Sequence, residues 1–203
     1  MRPRRIARYT PAREQRRHIG MAGHGIAEIK RVFITRLDTL AHIVDVGEKH
    51  LPDIDAALQE RLAPDMFPLG TQIAFACNQP RGFAQWCAAQ PIENLPVEVG
   101  SAQLARAHIE HTRAMVDAVS AEDAILDTSK RIVVGPGLYC ELPARQYVDD
   151  FLLPNLYFHS ATAYAILRGL GVPLGKADYM HFLVPHVRRE EVPEPEGLAS
   201  EAS

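Results

Sequence analysis

The chain has 203 residues, 47% of them hydrophobic, which suffices for one domain with a buried core, and its net charge of −3 argues against a nucleic-acid-binding surface. No apolar run is long enough to span a bilayer, the start lacks the hydrophobic segment of a secretory leader, and three cysteines do not make a disulfide framework. A cytoplasmic location with reduced thiols, and neither membrane nor nucleic acid as partner, is therefore expected.

Charge is distributed unevenly. Residues 1–20 hold seven arginines and one glutamate, residues 187–203 hold five glutamates and two arginines, and the body between them carries −6. The first stretch has no apolar periodicity and reads as a disordered basic extension, with Met21 opening a more ordinary beginning. The last is acidic and proline-bearing and reads as a disordered tail, which leaves residues 21–186 as a single domain.

In chain order, Ile26, Ile29, Phe33, Leu37, Leu40 and Val44 step by three or four and predict a helix over 26–50, with His42 and His50 off the stripe and solvated. Pro52 stops it, and Asp53 or Asp55 can cap a short helix. In RLAPDMFPLGTQ, Asp65 is placed to cap a second long helix that continues through Gln72 to about Ala89, with a kink or break expected near Asn78 because of Pro80. Residues 91–100 form a loop. Ser101 then caps a third helix to about Val119, on which Leu104, His108, His111, Met115 and Val119 share a face. His108 and His111 stand three apart, a weak metal pattern without a third ligand.

Residues 131–142, with Gly135-Pro136-Gly137 at the centre, predict a small β-hairpin. A fourth helix is expected from Pro154, with Asp149 and Asp150 as favourable charge ahead of its start. Its stripe of Leu156, His159, Ala163, Ile166 and Leu170 turns His159 towards the core, and Gly169, Gly171 and Pro173 end it. A buried imidazole needs partners, and Asp65 and Gln72 are the candidates. Asn155, Arg168, Lys176 and Asp178 read as residues that tie down the exit segment, while Tyr157 and Tyr164 face elsewhere, towards the hairpin or a partner subunit.

Two stretches are long enough to be specific. One is Arg61-Leu-Ala-Pro-Asp-Met-Phe-Pro-Leu69 with Gln72. The other is Pro154-Asn-Leu-Tyr-Phe-His159, continuing through Ala163–Arg168 and Gly171–Lys176 to Asp178-Tyr179. Together they resemble the DUF1993 family, a domain of unknown function in bacteria and fungi, within the DinB/YfiT-like superfamily, over roughly residues 27–181. The resemblance implies an all-α, up-down four-helix bundle, here with the hairpin inserted before the last helix. It also implies a three-histidine metal site in many relatives, some of them thiol-dependent transferases or isomerases. That triad is incomplete in this chain: Ala163 stands four after His159, and Gln72 is the nearest polar candidate on the second helix.

Two functional readings follow. The first is a bundle without an intact three-histidine site that binds a small molecule, with Gln72, Tyr164 and Asn155 at the ligand, or that acts structurally as a homodimer. The second is a metal- or thiol-assisted transferase or isomerase with His159 as acid or base, Asp65 orienting it, and His159, Asp65 and Gln72 as a harder-ion replacement set for a divalent metal. Cys77 and Cys87 have no activating motif and are expected to be inert.

Overall fold

The structure, a computed structural model, describes residues 25–188. The basic stretch 1–20 and nearly all of the acidic tail lie outside the described residues. Helix α1 (Ile26–His50) buries Ile26, Ile29, Phe33, Leu37, Leu40 and Val44, as their spacing predicts. Its start has no side-chain cap of its own. The Ile26 N–H instead donates to Asp123 Oδ1 at 2.7 Å, and the Lys30 ammonium closes the end of a different helix by donating to the carbonyls of Asp117 and Val119. After the short α2 (Ile54–Ala57), where Asp53 accepts from the Ala56 N–H, comes α3 (Leu69–Cys87).

One expectation for α3 is overturned. Asp65 does not cap it: that residue sits in an exposed turn, and Pro68 takes the cap position. The first N–H groups are satisfied by backbone instead, Leu69 donating to Glu60 and Gly70 to Leu58, both at 2.9 Å. Of the kink or break expected from Pro80, the break is absent, and α3 runs on through it. The Asn78 and Gln85 side chains accept from the Leu95 and Glu93 N–H groups, and these loop contacts hold α3 as one piece across the proline.

Ser101 caps α4 (Ala102–Asp117) through the Leu104 N–H, as expected, but the buried face is Ala105, Ile109, Thr112 and Val116. It lies one position on from the predicted stripe: Leu104 and His111 are exposed. Small residues at 105 and 112 let α4 pack against both α3 and α1, so closeness rather than side-chain bulk chose the face.

A 3-10 turn (Asp123–Asp127) leads into the hairpin of β1 (Ser129–Gly135) and β2 (Leu138–Pro143), antiparallel from Ser129↔Pro143 to Val133↔Tyr139. The helical path then begins earlier than predicted. A short α5 (Ala144–Gln146) and a π-turn (Tyr147–Leu152) precede α6 (Leu153–Gly169), so Asp149 and Asp150 lie inside the winding and not ahead of it. Pro154 has no N–H to continue an α-helical ladder, and widening the preceding turn accommodates its ring. Asn155 Nδ2 donates to the Phe151 carbonyl at 2.6 Å within the same stretch. A left-handed Gly171 (φ +88°) ends α6, and α7 (Lys176–Tyr179) with a 3-10 turn (His181–His186) returns onto α1.

The fold is thus mostly helical, four long helices with a two-stranded hairpin before the last. Helix α3 packs on α4 and α6, and α1 on α4. Phe33 and Phe83, both fully buried with ring centroids 5.3 Å apart, lie in the shared core.

Candidate functional site

Of the residues singled out in the sequence, the structure brings two together. His159 Nδ1 lies 2.8 Å from Gln72 Oε1, joining α6 to α3. Gln72 is 2% exposed, and its Nε2 donates to the Phe67 carbonyl at 3.0 Å. A carbonyl can only accept, so the amide orientation is settled and Oε1 faces the histidine. His159 must then carry its proton on Nδ1. Nε2 is left as a lone-pair acceptor with no hydrogen-bond partner among the described residues. Burial pushes the imidazole below its ordinary value of 6.5, so it is neutral at pH 7.

Two aromatic rings pack against this imidazole. Phe75 and Phe158 both meet His159 edge-on at 5.2 Å, and Phe67 meets Phe75 edge-on at 5.1 Å. Phe67 and Phe158 are 55% and 57% exposed, so the histidine borders an aromatic surface and is only half-buried. The expected core-facing histidine is therefore corrected: Leu156, Ala163 and Ile166 form the inner stripe of α6, with His159 at its margin. Phe158 and Phe67 escaped the sequence reading because they stand off the apolar stripes, although both lie inside the two specific motifs.

The other candidates are elsewhere. Asp65 is exposed, with no hydrogen bond to His159, so it does not orient the imidazole. Asn155 is spent on the Phe151 carbonyl, and Tyr164 donates to the Leu174 carbonyl at 3.4 Å, packing edge-on against Tyr179 on the exit segment and not on the hairpin. Of the replacement metal set, His159 and Gln72 are in contact. Gln72 Oε1 is taken up by His159, Asp65 makes no hydrogen bond to either, and among the described residues no three His, Cys, Asp or Glu side chains cluster as a metal site. The donors present do not fit a divalent ion held in the manner of the superfamily.

Cys77 is buried with its thiol pushed up to about 12, and Cys87 to about 11, in both cases by burial, so neither supplies a thiolate at neutral pH. His42, expected to be solvated, instead pairs with Asp178 at 2.8 Å and stacks on His181. Asp178 also accepts from the Gly175 N–H at 2.7 Å, and that bond, followed by His42, holds its carboxyl below the ordinary range. Together with Arg168, which donates to the Val172 carbonyl, Asp178 fastens the exit segment as expected.

Two outcomes follow for the His159–Gln72 pair. Long-range nitrogen–proton spectra at neutral pH should show His159 in the Nδ1–H form, and Gln72→Met should remove that preference and cost about 1–2 kcal/mol of stability. Stability should also depend on acid. The unfolded chain takes up protons on His159 from 6.5 downward while the folded chain resists, so the contribution is complete above 6.5 and is lost as pH falls below it. His108, lowered by burial and by Arg81 and His111, acts with the same sign. Urea midpoints between about pH 7.5 and 5 should therefore fall with acid, less steeply in His159→Gln.

Comparison with known proteins bears on this geometry. A family model described as "Domain of unknown function (DUF1993)" matches residues 28–180. A crystal structure of a DinB family member protein from Shewanella denitrificans is similar in fold, with a TM-score of 0.63, 26% identity, and coverage of 81% of this chain and 92% of that one. No curated protein sequence matches the chain. No helix of the described residues is long and apolar enough to cross a membrane.

Proposed function

The chain belongs to the DUF1993 family, and from that premise we propose that it is a binding protein whose α3–α6 face, centred on His159, docks a second copy of the same chain. The observation that carries this reading is the exposure of Phe158, which meets His159 directly, and of Phe67, which reaches it through Phe75, near an acceptor nitrogen without a partner among the described residues. Folded monomers seldom leave neighbouring aromatic rings in water, and aromatic rings with one fixed polar anchor are the usual centre of a protein interface. A two-fold axis through such a face would bury the patch against itself. Sedimentation equilibrium tests it: the wild-type chain self-associates, and Phe158→Asp weakens association by at least about tenfold. A monomer at all concentrations, or a variant that associates as well as the wild type, would overturn it.

One observation favours the enzymatic alternative, the neutral, unpaired Nε2, which is the state a general base requires. It is a version of that reading that calls on neither a metal nor a thiolate, because Asp65 makes no bond to the His159–Gln72 pair and burial keeps the Cys77 and Cys87 thiols protonated. His159→Gln, with the fold intact, would abolish any such activity while changing self-association less than Phe158→Asp does.

A further inference from the structure

We infer that the space between the hairpin and the π-turn, away from His159, is a binding site for an aromatic carboxylate. It is a cavity of about 500 Å³, within the usual range for small-molecule sites, closed by Pro91 and Ile92 from the loop, Lys130 and Arg131 from β1, and Tyr147 and Phe151 from the π-turn.

Three features of the lining specify the ligand. The first is flatness. Tyr147 and Phe151 stack nearly parallel, with centroids 5.7 Å apart and planes 19° apart, and Trp86 meets Tyr147 edge-on at 5.6 Å. A planar ring entering the cavity would extend an existing aromatic cluster.

The second is charge. Lys130 and Arg131 are the only charged residues of the lining, in a body that carries −6. Lys130 Nζ lies 5.9 Å from the Trp86 ring, and the Arg131 guanidinium rests 3.9 Å above Tyr139. Neither has a carboxylate partner among the described residues; across the strands, Glu141 is opposite Arg131 but accepts from the Ser129 hydroxyl. Side chains alternate along β1, so Lys130 shares the inward face with Ile132 while the exposed Arg131 lies with Tyr139 on the outer face; Lys130, set against Trp86 and without a carboxylate partner among the described residues, favours an anionic guest.

The third is an unused donor. Tyr147 is 4% exposed, and its hydroxyl makes no hydrogen bond to the described residues but is not sealed off: it is not among the buried atoms left without a partner, so it keeps contact with solvent. The hydroxyl lies close to Gly82 of α3, the same point that Ile92 of the cavity wall approaches. In the free chain solvent meets that donor, and a ligand's carboxylate oxygen would take its place. Burial also pushes its ionisation up to about 12, which keeps it a donor throughout the physiological range.

The chain has one tryptophan, Trp86, so its indole N–H gives a single NMR cross-peak beside the cavity. Titrating the full chain with 2-naphthoate should move that peak in a saturating manner, with a matching calorimetric isotherm. Naphthalene-2-carboxamide, which keeps the ring and loses the charge, and acetate, which keeps the charge and loses the ring, should each bind at least about tenfold more weakly. Lys130→Gln should weaken naphthoate binding about tenfold, and Tyr147→Phe, which keeps the ring and removes only the hydroxyl, by several-fold. Phe158→Asp should leave it unchanged. No saturating shift of the Trp86 peak, equal affinity for the neutral amide, or a response confined to the His159 face would each overturn the assignment, the last in favour of a ligand on the proposed docking surface.

Discussion

Phe33→Ala should destabilise the chain by about 4 kcal/mol in urea or thermal unfolding. The side chain is fully buried in the middle of α1 and meets the equally buried Phe83 of α3 at 5.3 Å. Removing it costs the transfer of a whole aromatic ring from water and leaves a hole where two helices meet. The interior is close-packed, so α1 and α3 can close that hole only in part. Phe33→Leu should recover more than half of the loss. A loss below about 1.5 kcal/mol for alanine would mean that α1 repacks freely and that the core is looser than the buried rings imply.

Gly70→Val should cost about 3 kcal/mol, from the opposite fault, too much volume. Gly70 opens α3 in the grip of two other segments. Its N–H donates to the Leu58 carbonyl, and an added Cβ would come within 2.7 Å of the Val99 carbonyl oxygen and 3.0 Å of Val99 Cβ. The next residue tightens the same clasp, with the Thr71 hydroxyl donating to the Val97 carbonyl at 2.6 Å. The oxygen facing Gly70 belongs to backbone held in place, so the helix start has to move. Because Gln72 is two residues on, displacement should also disturb the His159 tautomer, and nitrogen–proton spectra of the variant would reveal it. A variant as stable as wild type would show that residues 97–99 yield easily.

These two residues mark how far the sequence could be read. Phe33 belongs to a stripe whose period alone delivers α1 over its observed bounds, because a long amphipathic helix is a local property. The hairpin was legible for the same reason: β-branched Ile132, Val133 and Val134 before Gly-Pro-Gly and an extended Leu138–Leu142 pattern after it. The role of Gly70 was not legible, since its constraint comes from Val99, twenty-nine residues away, and the true caps of α3 are carbonyls of residues 58 and 60 that no composition marks. Asp65 looked like a cap because its type and position suit one; a long-range backbone bond displaced it. On α4 the large residues drew attention to the wrong side, since Ala105 and Thr112 are buried for the closeness they allow. The pairing of His42 with Asp178 spans 136 positions and has no local trace.

At the site, the facing of α3 and α6 through Gln72 and His159 was legible, because both lie in motif stretches and a histidine near a core stripe calls for a partner. The aromatic surround was not, since exposed phenylalanines break the rule that apolar residues point inward, and such exceptions carry functional information. The cavity under the hairpin was still less visible. It needs a loop, a strand and a π-turn that meet only in three dimensions.

The widened turn at Tyr147–Leu152 has a consequence for helical phase. A turn closed by bonds five residues back holds one residue more than α-helical winding would. Deleting a residue there would shift everything before it by about 100° around the axis relative to α6. Tyr147 would swing away from Trp86, and the hairpin with it, whereas His159 lies downstream and would keep its angle to Gln72. The two surfaces are therefore independently phased: a one-residue change of length retunes one and leaves the other as it is.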